Sequence, residues 1–324
     1  MFRYLIRRIL IAVPTLIGIT MISFALVNLA PGDPLISVIA NLQGGRTRAL
    51  SPEVIEAMRV RYGLDQPAPI RYVFWLGQVA RGNLGQRYSD SREVSELIFK
   101  ERLGATVELM GAALAISIII GIPLGIVSAL KQYSRVDYSL TIGAFIGVSL
   151  PEFFVGLLLI YFVAVRLDLL PTSGMSTAGS AFSWGDHLRH LLIPAVVLSL
   201  AQLSSLMRYS RSSVLDVIHQ DYVRTARSKG LWERTVILTH VFRNALLPLI
   251  TVIGLMIPKL TAGSAVVEAV FQWPGLGSLY LEAVQARDYP TIMAIVLLTA
   301  LVVLISNLLA DIAYAFADPR IRYD

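Results

Sequence analysis

The 324-residue chain is 55% hydrophobic and only 15% charged, with a mean hydropathy of +0.65 and a formal charge of +6. Soluble domains carry about 25% charged residues, so this composition, with its long uncharged runs, points to an integral membrane protein. Cysteine is absent, which excludes disulfides, thiol catalysis and Cys-ligated zinc or iron–sulfur centres.

Arg3, Arg7 and Arg8 precede a charge-free run from Ile9 to Gly32. The run exceeds the apolar core of a signal peptide and lacks a clear small-x-small cleavage site, so it is read as a retained first span, with a cleaved signal sequence as the alternative. Residues 31–103 follow, broken by Pro31, Pro34, Pro52, Pro67 and Pro69. Ser51 is placed to cap a helix with Pro52 at its first position and Glu53 in its first turn, and "IRYVFWLGQV" predicts a second helix. This segment is expected to be an extracytoplasmic helical insertion, either a cap over the membrane domain or a long packed loop without substrate contact. A second span begins near Gly104 and runs through the 22 uncharged residues Leu109 to Leu130. Its β-branched residues do not oppose a helix, because in lipid a lone segment satisfies its backbone groups only as a helix. A third span covers Tyr138 to Val165, interrupted by Pro151 and Glu152; the fourth covers Leu191 to Met207, the fifth Asn244 to Val267 and the sixth Tyr289 to Ala310. The expected organisation is an amino-terminal end and first span (1–30), the insertion (31–103), a five-span core (104–317) containing a polar loop at 208–243, and a short tail (318–324).

Six spans put both termini on one side. With the Arg-rich amino terminus in the cytoplasm, the loops 131–137 and 208–243 and the tail are cytoplasmic and, with that terminus, hold fourteen basic residues. The short loops opposite hold Arg166, Arg189, Lys259 and Arg287, while the ten basic residues of 31–103 sit in a loop too long to obey the positive-inside rule. The same count explains the positive charge without nucleic acid, for which no basic cluster interleaved with aromatics is present.

In "SSVLDVIHQDYVRTARSKG", Val214, Ile218, Tyr222 and Ala226 recur every four residues and are expected to share one helical face, with Asp216, Gln220, Arg224 and Arg227 elsewhere. Gly230 can end this helix, and "LWERTVILTH" supplies a second short amphipathic piece. Two partners suit such a helix–turn–helix: a protein facing the inner side of the bundle, or lipid headgroups attracted to Arg224, Arg227 and Lys229. Glu152 is the main ionisable residue expected inside a span; beside Pro151 it either caps a broken helix or lines a kinked path. Toward the carboxyl end, "VFQWPGLGSLYLEAVQARDYP" sets Trp273, Pro274, Gly275 and Gly277 before Asp288, Tyr289 and Pro290. This pattern suits either a sharp outer re-entry or an interfacial loop anchored by aromatics. None of the four lysines stands in a GxxxxGK[ST] cradle, so ATP hydrolysis is not expected of this chain, and His187, His190, His219 and His240 are too scattered to suggest a metal site.

"DYVRTARSKG" resembles the EAA-loop of binding-protein-dependent ABC transporter permeases, especially the peptide, nickel and glutathione group. Ala226 and Gly230 match the family pattern, whereas Arg224 and Thr225 depart from its Glu-Ala-Ala triplet. "RYLIRRIL", "PGDP", "YGLDQP", "SLPEFFVGLLL", "LLPTSG", "HVFRNALLP" and "VFQWPGLGSLYLEAVQARDYP" follow the family's order along nearly the whole chain. The resemblance implies an all-α, six-span type I importer permease in the bacterial cytoplasmic (inner) membrane. It further implies a second homologous permease, two cytoplasmic ABC ATPases holding ATP and Mg, and an extracytoplasmic substrate-binding protein as partners, besides membrane lipid; no cofactor is expected on this chain. Asp221, Tyr222, Arg224, Thr225, Ala226, Arg227, Lys229, Gly230 and Leu231 would couple to an ATPase, and Pro151, Glu152, Trp273, Pro274, Gly275 and Gly277 would form gate or pathway architecture. Peptide is the expected cargo, with a nickel chelate, glutathione or an opine-like solute as alternatives. A self-contained secondary transporter is the rival from another class, disfavoured by the lack of a duplicated half.

Overall fold

A computed structural model describes residues 2–29, 32, 33, 35, 38, 39, 51–256 and 264–317. Pro31, Pro34, Lys259, Arg320, Arg322, the predicted tail 318–324 and part of the predicted fifth span lie outside these residues. The described elements are helices: α1 (Phe2–Leu29), α2 (Pro52–Arg61), α3 (Ala68–Ala80), α4 (Val94–Leu130), α5 (Arg135–Ser149), α6 (Glu152–Arg166), α7 (Trp184–Ile218), α8 (Asp221–Ser228), α9 (Glu233–Thr235 continuing through Val236–Phe242 and Arg243–Met256), α10 (Ala265–Val270), α11 (Leu276–Ala286) and α12 (Tyr289–Ala317).

By length and composition four helical stretches can cross a membrane, namely Leu10–Leu29, Val94–Leu130, Trp184–Ile218 and Tyr289–Leu309, and the count rises to six if each of two bent pairs makes one span. The first pair is α5 and α6, which meet at 102°. The break is local chemistry: the ring of Pro151 disfavours helical backbone at Leu150, which is extended at ψ 133°, and Pro151 then stands before the first residue of α6. Each half has 15 residues, or about 22 Å, short of the roughly 30 Å a bilayer core requires. The predicted interruption of the third span is therefore a sharp break rather than a kink.

The helices group into two compact units, one built from the described parts of 1–105 and 274–305, the other from those of 106–273 and 306–322. In the first, α2 begins where predicted, with Ser51 extended at ψ 148°, Pro52 at the first position and Glu53 in the first turn, but the Ser51 side chain makes no capping hydrogen bond. The first turns of α4 bury Val94, Leu97 and Ile98 against Leu276 and Leu279 of α11 and Ala294 and Ile295 of α12. Asp288, 0% exposed, fastens the end of the insertion to the start of α12. It accepts hydrogen bonds from the Tyr88 backbone N–H (3.2 Å) and the Thr291 hydroxyl (2.7 Å), with the Arg87 guanidinium 3.5 Å away. Burial pushes its carboxyl above the usual range, and these three donors work in the opposite direction.

In the second unit α7 packs against α4, α5 and α9. α4 and α7 approach closely because Gly121 and Gly125 present no side chain: a Cβ on Gly125 would lie 2.5 Å from Ser210 Cβ. Hydroxyls close the seam, Ser117 donating to Ser199 O at 3.1 Å and Ser210 to Ile122 O at 3.0 Å. Ser117–Gly121 is a π-helical stretch just before Pro123, whose ring displaces the carbonyl four residues back.

Asp288→Ala strips a buried carboxylate from two donors and a guanidinium, and is expected to cost about 2–4 kcal/mol. The check is the thermal unfolding midpoint of the detergent-solubilised protein, which should fall clearly; an unchanged midpoint would show that the fastening is dispensable.

Candidate functional site

α7 ends at Ile218 and the chain breaks at His219 and Gln220, Gln220 being extended at ψ 150° before α8 starts at Asp221. This corrects the four-residue repeat, since Val214, Ile218, Tyr222 and Ala226 could share a face only along an unbroken helix. The extended residue resets the phase, so α8 buries Val223 and Ala226 and leaves Tyr222 exposed. "LWERTVILTH" is likewise no separate piece but the opening of α9.

Eight residues are too few for a stable isolated helix, so packing holds α8 in place. Val223 (0% exposed) and Ala226 sit among Ala129 of α4, Val214 of α7, and Val236, Val241 and Ala245 of α9. Burying one valine contributes about 1.5–3 kcal/mol. Asp221, Tyr222, Arg224, Thr225, Lys229 and Leu231 are turned outward, the Arg224 side chain being 79% exposed. Arg227 grips Glu233 at the start of α9 with contacts of 2.7 and 3.2 Å, and the Thr225 hydroxyl donates to the Asp221 carbonyl at 2.9 Å. Gly230 closes the helix at φ +73°, its N–H donating to Arg227 O at 2.9 Å, in a conformation that side-chain-bearing residues adopt only with strain. Trp232, 83% exposed, stands just beyond.

A buried polar clamp frames this platform. Asp137, in the first turn of α5, accepts from Ser128 Oγ of α4, from the Tyr133 N–H at 3.0 Å, and from Nε and Nη2 of Arg211 of α7, both at 2.9 Å. Ser134 caps α5 by accepting from the Asp137 N–H at 3.3 Å. One carboxylate thus ties the ends of α4 and α5 to α7 a few residues before α8. Sequence reasoning missed it; only the Ser134-x-x-Asp137 spacing hinted at a capped helix.

The second predicted group does not join the platform. Glu152 opens α6, with Ser264 Oγ 3.5 Å from its Oε2. Trp273 is fully buried, its backbone N–H donating to the Glu268 backbone carbonyl at 2.8 Å and its ring 5.9 Å from that of His187, so it is no exposed aromatic anchor. Pro274, Gly275 and Gly277 lie in the other unit, where Gly275 caps α11 and Gly277 is buried. Nor is Glu152 the main acid of its unit. Glu268 is 0% exposed and accepts from Thr106 Oγ1 at 3.0 Å, and Glu108 lies 2.5 Å from His187 Nε2. A lone acid in "AVVEAVF" was the signal that could have found Glu268. Among the described residues no group of three or more His, Asp or Glu converges as a metal site requires.

Comparison with known proteins adds family and fold. Residues 121–323 match the family described as binding-protein-dependent transport system inner membrane component, and residues 1–110 match the amino-terminal family of the same membrane components. The chain is 44% identical over 328 residues to the oligopeptide transport system permease protein AppB of Bacillus subtilis (strain 168), covering 100% of both chains. It is 37% identical over 344 residues to the dipeptide transport system permease protein DppB of Escherichia coli (strain K12), covering 100% of this chain and 99% of that one. Inward-facing structures of the MetNI methionine ABC transporter include a chain that aligns with a TM-score of 0.54 at 15% identity, over 67% of this chain and 94% of that chain, which shows a shared fold.

Two substitutions test the platform. Val223→Asp forces a charge into the seat of α8 and should open the loop to trypsin at Arg224, Arg227 and Lys229 while the remaining helices stay folded; resistance equal to the parent would mean that α8 is not held by its apolar face. Arg211→Met leaves Asp137 buried without its cation and is expected to cost about 3–5 kcal/mol, largely recovered when Asp137→Leu is added. Thermal midpoints of the two single variants and the double variant supply the coupling.

Proposed function

The chain belongs to the family of binding-protein-dependent transport system inner membrane components, and from that premise we propose that it is the permease subunit of an ATP-driven peptide importer in which α8 receives the ATPase stroke. The observation that carries the reading is the two-sidedness of α8: Val223 and Ala226 are sunk among three long helices, while its polar face, with Asp221 and Arg224 most exposed, is turned away from the chain. An eight-residue helix held in this way has no independent motion to offer. A partner that grips its outer face moves the ends of α4, α7 and α9 with it.

In this reading the amino terminus and the loop 208–243 are cytoplasmic, and two ABC ATPases bind ATP and Mg. A second homologous permease completes the path, and an extracytoplasmic binding protein delivers the cargo. Arg224, Lys229 and Tyr222 face the ATPase, whereas Ala226 and Arg227 act inward, the first by packing and the second by fixing the turn to Glu233. The permease contributes differential stability of its gate states, and the free energy comes from nucleotide hydrolysis in the partners. The outward-facing polar residues favour a protein groove over a lipid surface, because Asp221 and the Arg227–Glu233 pair dilute the positive charge that anionic headgroups would select. Peptide is favoured as cargo by the named relatives, AppB being an oligopeptide and DppB a dipeptide permease protein.

Gly230→Val strains the left-handed turn by about 1–3 kcal/mol and tilts α8 against its partner. In proteoliposomes holding the complete importer, uptake of a labelled peptide should fall at least about tenfold, or 1.4 kcal/mol of coupling, while ATP hydrolysis persists. Parental uptake by the variant would remove α8 from the coupling route, and transport of nickel or glutathione in place of peptide by the parent importer would overturn the cargo.

A further inference from the structure

The two insertion helices differ in what they turn outward. α2 exposes the charged Glu53, Glu56 and Arg61 together with Val54 and Val60, and half-buries Ile55 and Met58. α3 turns no charge outward. Beyond its first two residues its exposed positions are Ile70, Val73, Phe74, Gly77 and Ala80, all apolar and on one face at helical spacing, while Arg71, Tyr72, Trp75 and Gln78 are drawn inward. A helix with its apolar face outward is stable where the surroundings are themselves apolar.

The inward face shows what those surroundings are. Tyr72 Oη lies 2.9 Å from Thr20 Oγ1 and donates to the Ile17 carbonyl at 3.0 Å, and both residues belong to the apolar stretch Leu10–Leu29 of α1. Arg71 bonds Asn28 and lies 5.7 Å from the ring centroid of Phe24, while the Tyr72 ring packs 5.3 Å from Phe24. Ile17 and Thr20 are about 14–18 Å along the helix from Leu29, roughly half the thickness of a bilayer core. A tyrosine side chain spans only a fraction of that depth, so the axis of α3 cannot stand clear of the membrane that α1 crosses. With 13 residues, about 20 Å, α3 is too short to cross by itself. Met21, Ile22 and Leu26 of the same apolar stretch of α1 are exposed as well, as residues facing acyl chains are.

We propose that α3 is a half-length membrane-embedded helix whose Ile70, Val73 and Phe74 face is solvated by the acyl chains of the leaflet at the C-terminal end of α1. Arg71 and Tyr72 hold it there by bonding to α1, so the insertion lies in water at α2 and then enters the membrane at α3. The inference rests on the geometry of the first unit and not on the proposed cargo or coupling role.

The absence of cysteine makes the test direct. Val73→Cys and Phe74→Cys, each spin-labelled, are compared with Glu56→Cys on the water-facing side of α2, in the full chain reconstituted in phosphatidylethanolamine–phosphatidylglycerol liposomes with the subunits that copurify with it. Labels at 73 and 74 should relax several-fold more strongly with oxygen than with a water-soluble nickel chelate, and the label at 56 should show the reverse order. Access of the chelate to 73 and 74 would make α3 part of an aqueous cap. Exclusion of both reagents would make its face a contact with another protein. Either result overturns the proposal, and Ile70→Cys replaces whichever variant fails to assemble.

Discussion

The seating of Val223 and Ala226 among Ala129, Val214, Val236, Val241 and Ala245 is the interaction on which the architecture of the 208–243 loop depends. α8 has too few residues to persist alone, and its ionic contacts are solvent-exposed, where a pair such as Arg227–Glu233 is worth about 0–1 kcal/mol. Two buried apolar side chains therefore outweigh all the polar contacts that α8 makes. Cohesion is thus on the inner face, and the outer, polar face of α8 contributes little to holding the helix to its own chain.

The long helices behind the seat explain how a displacement there could travel. α7 has 35 residues, about 52 Å, well beyond the thickness of a bilayer core. It is locked to α4 by glycine-mediated close approach and by serine hydroxyls, and to α5 by the Asp137–Arg211 pair. Breaking that pair would leave an uncompensated buried charge, so the clamp penalises any motion that separates α5 from α7. At Pro151 the path is broken: α5 meets α6 at 102° with no continuous hydrogen-bond ladder between them, and α6 packs separately against α7 and α10.

Features governed by a few neighbouring residues were legible in the sequence. Ser51, Pro52 and Glu53 marked α2, Pro151 marked the break, and Gly230 marked the turn, because each acts through its own backbone. The family was legible because motifs in fixed order run through the chain. The phase of α8 was not, since Gln220 has no intrinsic demand for extended backbone and adopts it to let Val223 reach its seat. The Asp137–Arg211 pair joins residues 74 apart and left only a capping hint. The outward apolar face of α3 was hidden for a different reason: periodicity reveals that a helix has two faces, not which one meets the rest of the protein.

The claim that α8 moves as one body with the end of α7 is tested most directly by a spin–spin distance between labels at Arg224→Cys and Ser212→Cys, both exposed positions in a chain without cysteine. Measured in the assembled importer through a cycle of ATP binding and release, the distance should stay single and unchanged while the ATPase subunits close and reopen. A distance that shifts or splits with nucleotide would show α8 sliding on its seat, and would contradict rigid transfer of the stroke to the membrane helices.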